Sequence, residues 1–471
     1  MKILKSFTVL FTIVAVVSNL YIFTYPSFNS TQCSWRGQID GNDVRIEQEM
    51  DIVQILTLHI KSYLSDLFNL NEKKNSASES KEVHMLAFGD PQIRGPWKKT
   101  NFLKRLDIYG NDYYLGHIVS KMVGRLKPEF VTVVGDLFSS QWINDSEFYR
   151  RTVRYATNIF NRDINSITEI RKNNLDENGD YKCNWESWGQ EYHRKLESNL
   201  TIDDYRYENV YTWDKTKDNY LFINLTGNHD IGYSGDTTYQ HLARFATFFG
   251  KDNYWIEYET ETDHPWRIVV LNSMLLEGPA LQPDFVKSSW KFLNLLSSSN
   301  FNGSTVLLTH IPMYKEQGIC HDGPEFKYYP KKYKREPYKA KLLRSQNHLS
   351  YNVTQSVLNS IFNNDKPGII LTGHDHEGCK TTYNKVVTPD GIYWEPVNSS
   401  DVLDHHIQEI TVRSMMGYFG GNTGILTGLF NDMTSQWEWH FSLCPFASEH
   451  IWWVANVSIA LSIILWTSML I

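Results

Sequence analysis

Short apolar runs alternate with amphipathic stretches through the middle of this 471-residue chain. Six runs have the length of buried strands and lie at residues 83–88, 130–134, 220–225, 268–271, 305–308 and 369–371. Apolar residues recur at helical spacing at residues 113–126, 147–160, 239–249 and 288–296. Residues 407–413 and 437–443 alternate as half-exposed strands do. This order predicts an α/β fold, with helices outside a sheet or paired sheets.

Each end of the chain carries an uncharged apolar stretch about long enough to cross a bilayer, at residues 7–25 and 451–471. The first is longer than the apolar region of most signal peptides and lacks an A-x-A-like cleavage site, which favours an uncleaved anchor. The second follows a segment too apolar to be the spacer of a GPI-attachment signal, which favours a second membrane helix. Lys2 and Lys5 then place the N-terminus in the cytosol and the middle of the chain in a lumen.

The predicted organisation follows from these anchors. Residues 1–25 form the first anchor, and residues 26–81, with a helical pattern at 52–68 and a polar linker, form a membrane-proximal stem. The lumenal domain covers 82–445, with a polar insertion at 161–218, and residues 451–471 form the second anchor. Glycosylation triplets agree with a lumenal location and begin at Asn29, Asn144, Asn199, Asn302, Asn352 and Asn398.

Disulfides are plausible for five cysteines in a lumenal compartment. Cys33 and Cys444 lie next to the two anchors and could pair, and Cys320 and Cys379 each follow a histidine-containing loop and could also pair. An odd count leaves at least one thiol outside such pairs, and the sequence leaves the connectivity open.

Charge excludes one class of partner. The net charge is −7 and 21% of residues are charged, which provides no basic footprint for nucleic acid. One segment, residues 325–344, is basic and rich in tyrosine. It is either a solvated face or a patch for anionic lipid headgroups or a phosphorylated glycan.

Five of the apolar runs end in residues that commonly ligate metals. In chain order, these residues are Asp90 and Gln92, Asp136, Asn228 with His229, His310, and His374 with His376. Functional sites of α/β proteins gather at the carboxyl ends of strands, so we expect these side chains to meet. In four of the five, a glycine precedes the ligand and is predicted to let the backbone turn sharply.

Carboxylates, amides and imidazoles together suit two hard or borderline divalent cations. One Asp can bridge two such ions about 4 Å apart, which activates a water and holds phosphoryl oxygens during phosphoester hydrolysis. His229, beside the ligand Asn228, would then be free to protonate the leaving oxygen.

The ordered motifs GD, GD, GNHD, H-x-P and GHDH resemble those of the calcineurin-like metallophosphoesterase superfamily. The resemblance implies a β-sandwich flanked by helices, here with N- and C-terminal transmembrane helices. It assigns one metal to Asp90, Gln92, Asp136 and His376, and the other to Asp136, Asn228, His310 and His374. Asp136 would be the bridge, His229 the catalytic histidine, and Asp230 a residue that orients it.

The segments GDPQ, GDLF, GHDHEGC and EITVRSMMGYFGGNTG, between two terminal anchors, resemble a narrower lineage. Its members are endoplasmic reticulum (ER) membrane phosphodiesterases that remove ethanolamine phosphate from a mannose of GPI anchors. The resemblance implies manganese as cofactor, GPI-anchored proteins or glycolipids as substrates, and a role in ER exit with cargo receptors as partners. Residence in the Golgi stays open.

Two positions depart from the broad superfamily pattern. Gln92 stands where a histidine is usual and offers an amide oxygen, which favours Mn²⁺ or Mg²⁺ over Zn²⁺. Ser139 stands where a second Asp is usual, outside the expected ligands, so it should perturb metal binding without abolishing it. Two other hypotheses remain: a lumenal protein that binds GPI cargo without turnover, and a lumenal protein phosphatase.

Overall fold

The computed structural model describes residues 2–36, 81–96, 99–198, 200–205, 207, 220–389, 391–397 and 401–470, with six further residues between 53 and 64. Most of the predicted stem helix at 52–68, most of the linker after it, and the glycosylation triplets at Asn199 and Asn398 lie outside the described residues.

The strands alternate with helices along most of the chain. The helices are α1 (Lys2–Phe28), α2 (Ser30–Cys33), α3 (Phe102–Leu126), α4 (Asp145–Arg154), α5 (Asn165–Lys172), α6 (Trp185–Glu197), α7 (Asn228–Ile231), α8 (Tyr239–Phe249), α9 (Pro283–Ser297), α10 (Tyr351–Ile361) and α11 (Glu449–Leu470). The strands are β1 (Glu82–Phe88), β2 (Phe130–Val133), β3 (Leu221–Asn224), β4 (Tyr254–Tyr258), β5 (Trp266–Leu271), β6 (Ser304–Thr309), β7 (Phe326–Tyr328), β8 (Leu343–Gln346), β9 (Gly368–Thr372), β10 (Cys379–Thr388), β11 (Gly391–Val397), β12 (His406–Thr411), β13 (Asn422–Asn431) and β14 (Gln436–Pro445). A π-helical turn at Tyr155–Ile159 continues α4, and four 3₁₀ turns lie at Ile202–Tyr205, Ser273–Leu275, Pro337–Lys339 and Gly417–Phe419.

Two sheets form the core. A five-stranded sheet has the order β14-β13-β1-β2-β3, and a seven-stranded sheet has the order β11-β10-β12-β9-β6-β5-β4. Strands β1, β2 and β3 run parallel in the first sheet, and β5, β6, β9 and β12 run parallel in the second. The predicted arrangement of helices around paired sheets is confirmed.

The two faces of β1 show why its residues 85–88 are continuously apolar. Met85 and Ala87 belong to a buried cluster that also contains Ile268 and Ile369 of the second sheet. The alternate residue Phe88 belongs to the cluster that includes the helices. Because both faces are covered, neither set of alternating positions needs to be polar.

All six predicted buried strands are confirmed within two residues at either end, but other elements differ from expectation, among them helix α3 and strand β13. Helix α3 begins at Phe102, eleven residues before the predicted start. The prediction missed these first turns because their apolar side chains lie on an exposed face and not against the core. Strand β13 was not predicted, since Gly424 and Gly428 interrupt its apolar pattern. Both glycines lie under aromatic rings of β14, Phe441 and Trp439, where a Cβ would come within 2.8 Å and 2.6 Å respectively.

The two terminal helices are long and apolar enough to cross a membrane, and they pack against each other in opposite directions. The Asn19 side chain donates to the Ala455 carbonyl at 3.2 Å, and Trp466 donates to the Thr12 hydroxyl at 3.0 Å. Apolar side chains on the outside of this pair, such as Val17, are exposed. Lipid is the environment that suits such a surface.

Both of the cysteine pairs considered from the sequence form disulfides. Cys33 is bonded to Cys444, which ties the end of α1 and α2 to β14 just before α11. Cys320 is bonded to Cys379, which ties the loop after β6 to the start of β10. Cys183 is the free, buried thiol.

Candidate metal centre

All eight residues predicted for the site follow the carboxyl ends of five parallel strands, six of them in loops and Asn228 and His229 in the short helix α7. Strands β1, β2 and β3 of one sheet and β6 and β9 of the other contribute these loops. The site is therefore built at the edge where the two sheets meet. Pairs that are far apart in sequence come into contact here, such as Gln92 with His376.

The backbone turns sharply at the ligands themselves. Asp90, Gln92, Asp136 and His374 have φ angles of 39°, 42°, 51° and 76°. Residues other than glycine rarely adopt this left-handed region of φ, and each such residue costs on the order of 1 kcal/mol or more. The prediction that the preceding glycines make the turns is wrong for three of the four, since only Gly135, with φ of 99°, has a positive angle.

The other glycines allow close approach instead. A Cβ on Gly227 would lie 2.2 Å from both the backbone nitrogen and Oδ1 of Asp136. A Cβ on Gly373 would lie 2.7 Å from Oδ1 of Asp90. The loops can bring their ligands together only because these positions lack a side chain.

Asp136 lies between the two predicted sets of metal donors. The first set contains Asp90, Gln92 and His376, and the second contains Asn228, His310 and His374. Its Oδ2 accepts a hydrogen bond from Nε2 of Gln92 at 3.1 Å, and its Oδ1 is 3.5 Å from Nε2 of His310. Its Oδ1 also accepts from the backbone N–H of His229 at 2.8 Å. The two oxygens thus face different sets, as a bridging carboxylate requires.

In the second set, hydrogen-bond acceptors converge. Nδ1 of His310 lies 2.7 Å from the Val134 carbonyl, and Nε2 of His374 lies 3.0 Å from the Gln346 carbonyl. Each carbonyl takes the single N–H of a neutral imidazole, so the other ring nitrogen presents a lone pair. These free nitrogens, Nε2 of His310 and Nδ1 of His374, lie 3.2 Å and 3.0 Å from Oδ1 of Asn228. Three lone-pair donors around one point fit a cation.

In the first set, one carboxylate oxygen has no partner. Oδ1 of Asp90 is buried without a hydrogen bond, although the His374 N–H donates to Oδ2 at 3.0 Å. Oδ2 also lies 3.5 Å from Nε2 of His376. A buried, unpartnered carboxylate oxygen is costly unless a cation or a proton compensates it.

The amides complete both sets. Within the described residues, no three His, Cys, Asp or Glu side chains are spaced to hold an ion by themselves. Gln92 and Asn228 each lie among the imidazoles and hydrogen-bond or contact them directly. The residues present fit a pair of divalent ions because these amide oxygens complete the donor sets that the histidines and carboxylates begin.

Burial keeps the imidazoles neutral, the form that ligates metals. It lowers the pKa of His374 to about 3 and lowers the pKa values of His310 and His376. Burial raises the pKa of Asp90, and the charge of Asp136 raises it further. Burial acts in the same direction on Asp136, but its pKa is lowered because the imidazoles of His229, His310 and His374 outweigh burial.

His229 differs from the other histidines because 38% of its side chain is exposed, and Nε2 lies 3.7 Å from Oδ2 of Asp136. It can therefore reach a substrate at the site. The expectation that Asp230 orients this imidazole is wrong. The Asp230 carboxylate accepts from the N–H groups of Leu137, Phe138 and Gly227, so it holds the Asp136 loop in place.

Two supporting residues were not found from the sequence. Ser414 donates to the Asp90 carbonyl at 3.1 Å, and its own N–H donates to the His376 carbonyl, which joins two ligand loops. Arg151 donates to Ser139 and to the Ile93 carbonyl, and pairs with Glu147 at 2.9 Å. Ser139 thus contacts a guanidinium outside the ligand set, as predicted. The sequence signal for Ser414 was its place in the quoted segment 409–424. The signal for Arg151 was the acidic Glu147 four residues before it.

No family model matches the chain, but related proteins do, and three of them are described next. Protein TED1 of Saccharomyces cerevisiae is 54% identical over 475 residues, which cover 99% of this chain and 98% of that protein. The uncharacterized protein C23A1.02c of Schizosaccharomyces pombe is 27% identical and covers 76% of this chain and 73% of its own length. A metallophosphoesterase 1 homolog of Caenorhabditis elegans is 26% identical over 184 residues, 39% of this chain and 46% of that protein.

Among solved structures, GAP50, the anchor in the inner membrane complex of Plasmodium, matches 78% of this chain and 90% of its own length. The TM-score of 0.28 and identity of 11% are too low to carry a structural argument.

Paired sheets whose strand ends assemble carboxylate, amide and imidazole donors define this chain as a metallophosphoesterase. More narrowly, it belongs to the family of Protein TED1. This family remodels GPI anchors by removing ethanolamine phosphate and acts in ER exit, which confirms the resemblance seen in the sequence.

Proposed function

We propose that this chain hydrolyses the phosphodiester between ethanolamine and a GPI mannose with two divalent ions, in the ER lumen. The observation that carries the dinuclear assignment is the position of Asp136, with one oxygen toward Gln92 and the other toward His310. Asp90, Gln92, Asp136 and His376 would hold one ion, and Asp136, Asn228, His310 and His374 the other. Bound at these positions, the ions would supply an activated water and charge neutralisation for the phosphoryl oxygens.

The chain's own groups account for the rest of the reaction. The oxygen of water forms a bond to phosphorus, and the bond from phosphorus to the mannose oxygen breaks. The leaving oxygen needs a proton, and the half-exposed His229 is the group placed to donate it.

The loops also fix the direction of each ligand. The Val134 and Gln346 carbonyls set which nitrogen of His310 and His374 faces the site. Ser414 joins the Asp90 loop to the His376 loop. The ligands are therefore held by backbone groups and do not depend on the substrate for their orientation.

A glycan assay tests the reaction directly. The full-length chain, purified with manganese, is incubated with GPI glycans that carry ethanolamine phosphate, and the products are identified by mass. Loss of one ethanolamine phosphate supports the proposal. Binding of the glycan without any mass change favours a cargo-binding role, and release of phosphate only from phosphorylated peptides favours a protein phosphatase.

Glycosylation tests the lumenal orientation separately. Asn144, Asn302 and Asn352 are exposed and each begins an acceptor triplet. In cells, endoglycosidase treatment should increase the electrophoretic mobility of the chain, and Asn302→Gln should reduce that shift. A chain without any glycan at these sites contradicts a lumenal domain. Co-purification of cargo receptors with the intact chain tests the proposed partners.

A further inference from the structure

The first turns of α3 carry an apolar face that no other described element covers. Phe102, Leu106, Tyr109 and Tyr113 recur at helical spacing and fall within about 60° of arc, since successive residues turn by about 100°. All four are exposed, Phe102 by 76%, and the adjacent Leu103 is 74% exposed. We call these five residues the α3 apolar face.

The next turns of the same helix pack against both membrane helices. Gly110 lies against the indole of Trp453 in the second turn of α11, where a Cβ would come within 1.9 Å. His117 lies 3.0 Å from the Ile22 carbonyl of α1, and its ring contacts Phe23 at 4.9 Å between centroids. The α3 apolar face thus continues directly from the surface of the two membrane helices.

The order of these contacts shows the direction of α3. Arg125, in its last turn, contacts the Cys33 carbonyl, beyond the end of α1. Tyr114 donates to the Ala447 carbonyl just before α11, and Gly110 reaches Trp453 within it. Toward its N-terminus, α3 therefore approaches the interior of the pair formed by α1 and α11. Gly110, in the third turn of α3, is thus level with the second turn of α11.

The composition of this region agrees with a membrane boundary. Lys99, Lys104 and Arg105 are exposed around the α3 apolar face, and such side chains extend their charges toward headgroups. Tyr109 and Tyr113 hydrogen-bond to each other through their hydroxyls at 2.9 Å. Tyrosine is enriched where one end of a side chain is apolar and the other is wet.

We infer that the α3 apolar face lies in the headgroup and upper acyl region of the same bilayer that α1 and α11 cross. The catalytic domain is then held against the membrane at a third point. This has a consequence for the site, because the loop with Asp90 and Gln92 leads directly into α3. On the other side, Phe419 contacts the ring of His376 at 5.0 Å, and its neighbour Gly417 packs against Glu449 at the start of α11.

The experiment measures lipid contact at one residue. Full-length Leu106→Cys, labelled with an environment-sensitive fluorophore, is reconstituted in phosphatidylcholine vesicles that contain a fraction of spin-labelled lipid. Met433→Cys is the matched control, because Met433 is 93% exposed and apolar but lies at the β13–β14 hairpin. The opposite end of β14 leads into α11, so that hairpin is about 30 Å from the membrane. The chain without an introduced cysteine gives the labelling background.

Quenching by spin-labelled lipid at position 106, and by aqueous iodide at position 433, is the expected result. Equal lipid quenching at both positions, or quenching of position 106 by iodide alone, overturns the inference. A label at position 106 shielded from both quenchers indicates a protein partner or second copy on this face, and also overturns it. Leu103→Cys repeats the measurement if Leu106→Cys does not fold.

A second arm rests on the proposed function. Phe102→Ser with Leu106→Ser should lower hydrolysis of a GPI glycolipid in the same vesicles severalfold. Hydrolysis of soluble bis(p-nitrophenyl) phosphate should stay unchanged, which also shows that the variant is folded. Equal rates of the variant and the original chain on the glycolipid contradict the role of this face in substrate access. If neither substrate is hydrolysed by the original chain, the proposed function fails while the quenching result still stands.

Discussion

Nε2 of Gln92 lies 3.1 Å from Nε2 of His376 and 3.1 Å from Oδ2 of Asp136. An amide therefore occupies the place in this donor set where the broad superfamily pattern has an imidazole. The amide nitrogen and oxygen exchange places by rotation about the last side-chain bond, so the oxygen can reach the same position. A metal bound by this donor set would have one more oxygen ligand and one fewer nitrogen ligand than in the broad superfamily pattern.

Metal preference should follow from that exchange. After removal of metal with a chelator, Mn²⁺ should restore hydrolysis of a soluble phosphodiester better than Zn²⁺, because harder oxygen donors favour Mn²⁺. Gln92→His should shift the preference toward Zn²⁺. Gln436→His, at an exposed position on β14, is the control and should leave the preference unchanged. Equal or better rescue of the original chain by Zn²⁺ contradicts this reading of Gln92.

Removal of His374 should empty one metal position. His374→Ala should lower activity more than about 100-fold, because changes to residues that only support metal ligands already cost about 10- to 100-fold. Metal content, measured by mass spectrometry of the purified chain, should fall by about one ion. His241→Ala is the matched control, since burial lowers the pKa of His241 to about 3, as it does for His374. That variant should keep its metal content, and full activity of His374→Ala at limiting metal would refute the assignment.

His229 should matter most for poor leaving groups. If it protonates the leaving oxygen, His229→Asn should lower kcat by about 10²- to 10⁴-fold for an alkyl phosphodiester. The loss should be much smaller for a p-nitrophenyl ester, whose leaving oxygen needs no proton. Metal content should be unchanged. The same loss on both substrates would instead indicate a structural role.

Close approach at Gly227 should be essential. Gly227→Ala places a Cβ 2.2 Å from the backbone nitrogen of Asp136, so the two ligand loops must separate and metal affinity should fall. Gly124→Ala is the control, because nothing lies within 4 Å of its added Cβ in α3. That control should stabilise the chain by up to about 1 kcal/mol through helix propensity. Metal titration and thermal unfolding measure the two effects, and unchanged affinity in Gly227→Ala would contradict the close packing.

Acid should destabilise the metal-free chain. Burial lowers the pKa values of His241 and His348 to about 3, from an ordinary value of 6.5. Between those values the unfolded chain binds the extra protons, so stability is complete above pH 6.5 and falls as the pH decreases. The slope is about 1.4 kcal/mol per pH unit for each imidazole. Urea unfolding in chelator at pH 7 and pH 5 measures the difference, and His241→Gln should reduce it. A steeper decrease in that variant would oppose the sign argued here.

Much of the site could be predicted because its signals are local. Each ligand directly follows an apolar run, and buried strands and the polar residues after them are read within a few positions. The basic segment 325–344 shows the limit of such reading. Its ends pair as β7 and β8, and Lys339 is buried between Asp236 and Glu336, at 2.9 Å and 3.0 Å. Charge along the chain does not reveal which lysine in a run finds a buried partner.

By itself, the sequence determined the two apolar terminal helices, the buried strands and the candidate metal-site residues, because these depend on the length and pattern of short segments. Only the tertiary structure decided how the ligands are arranged. Nδ1 of His310 is fixed by a carbonyl 176 residues away, at Val134, and backbone carbonyls are alike at every position of a sequence. The start of α3 was also missed, because the sequence does not show which elements lie beside it. Its exposed apolar residues make sense only beside two membrane helices that come from opposite ends of the chain.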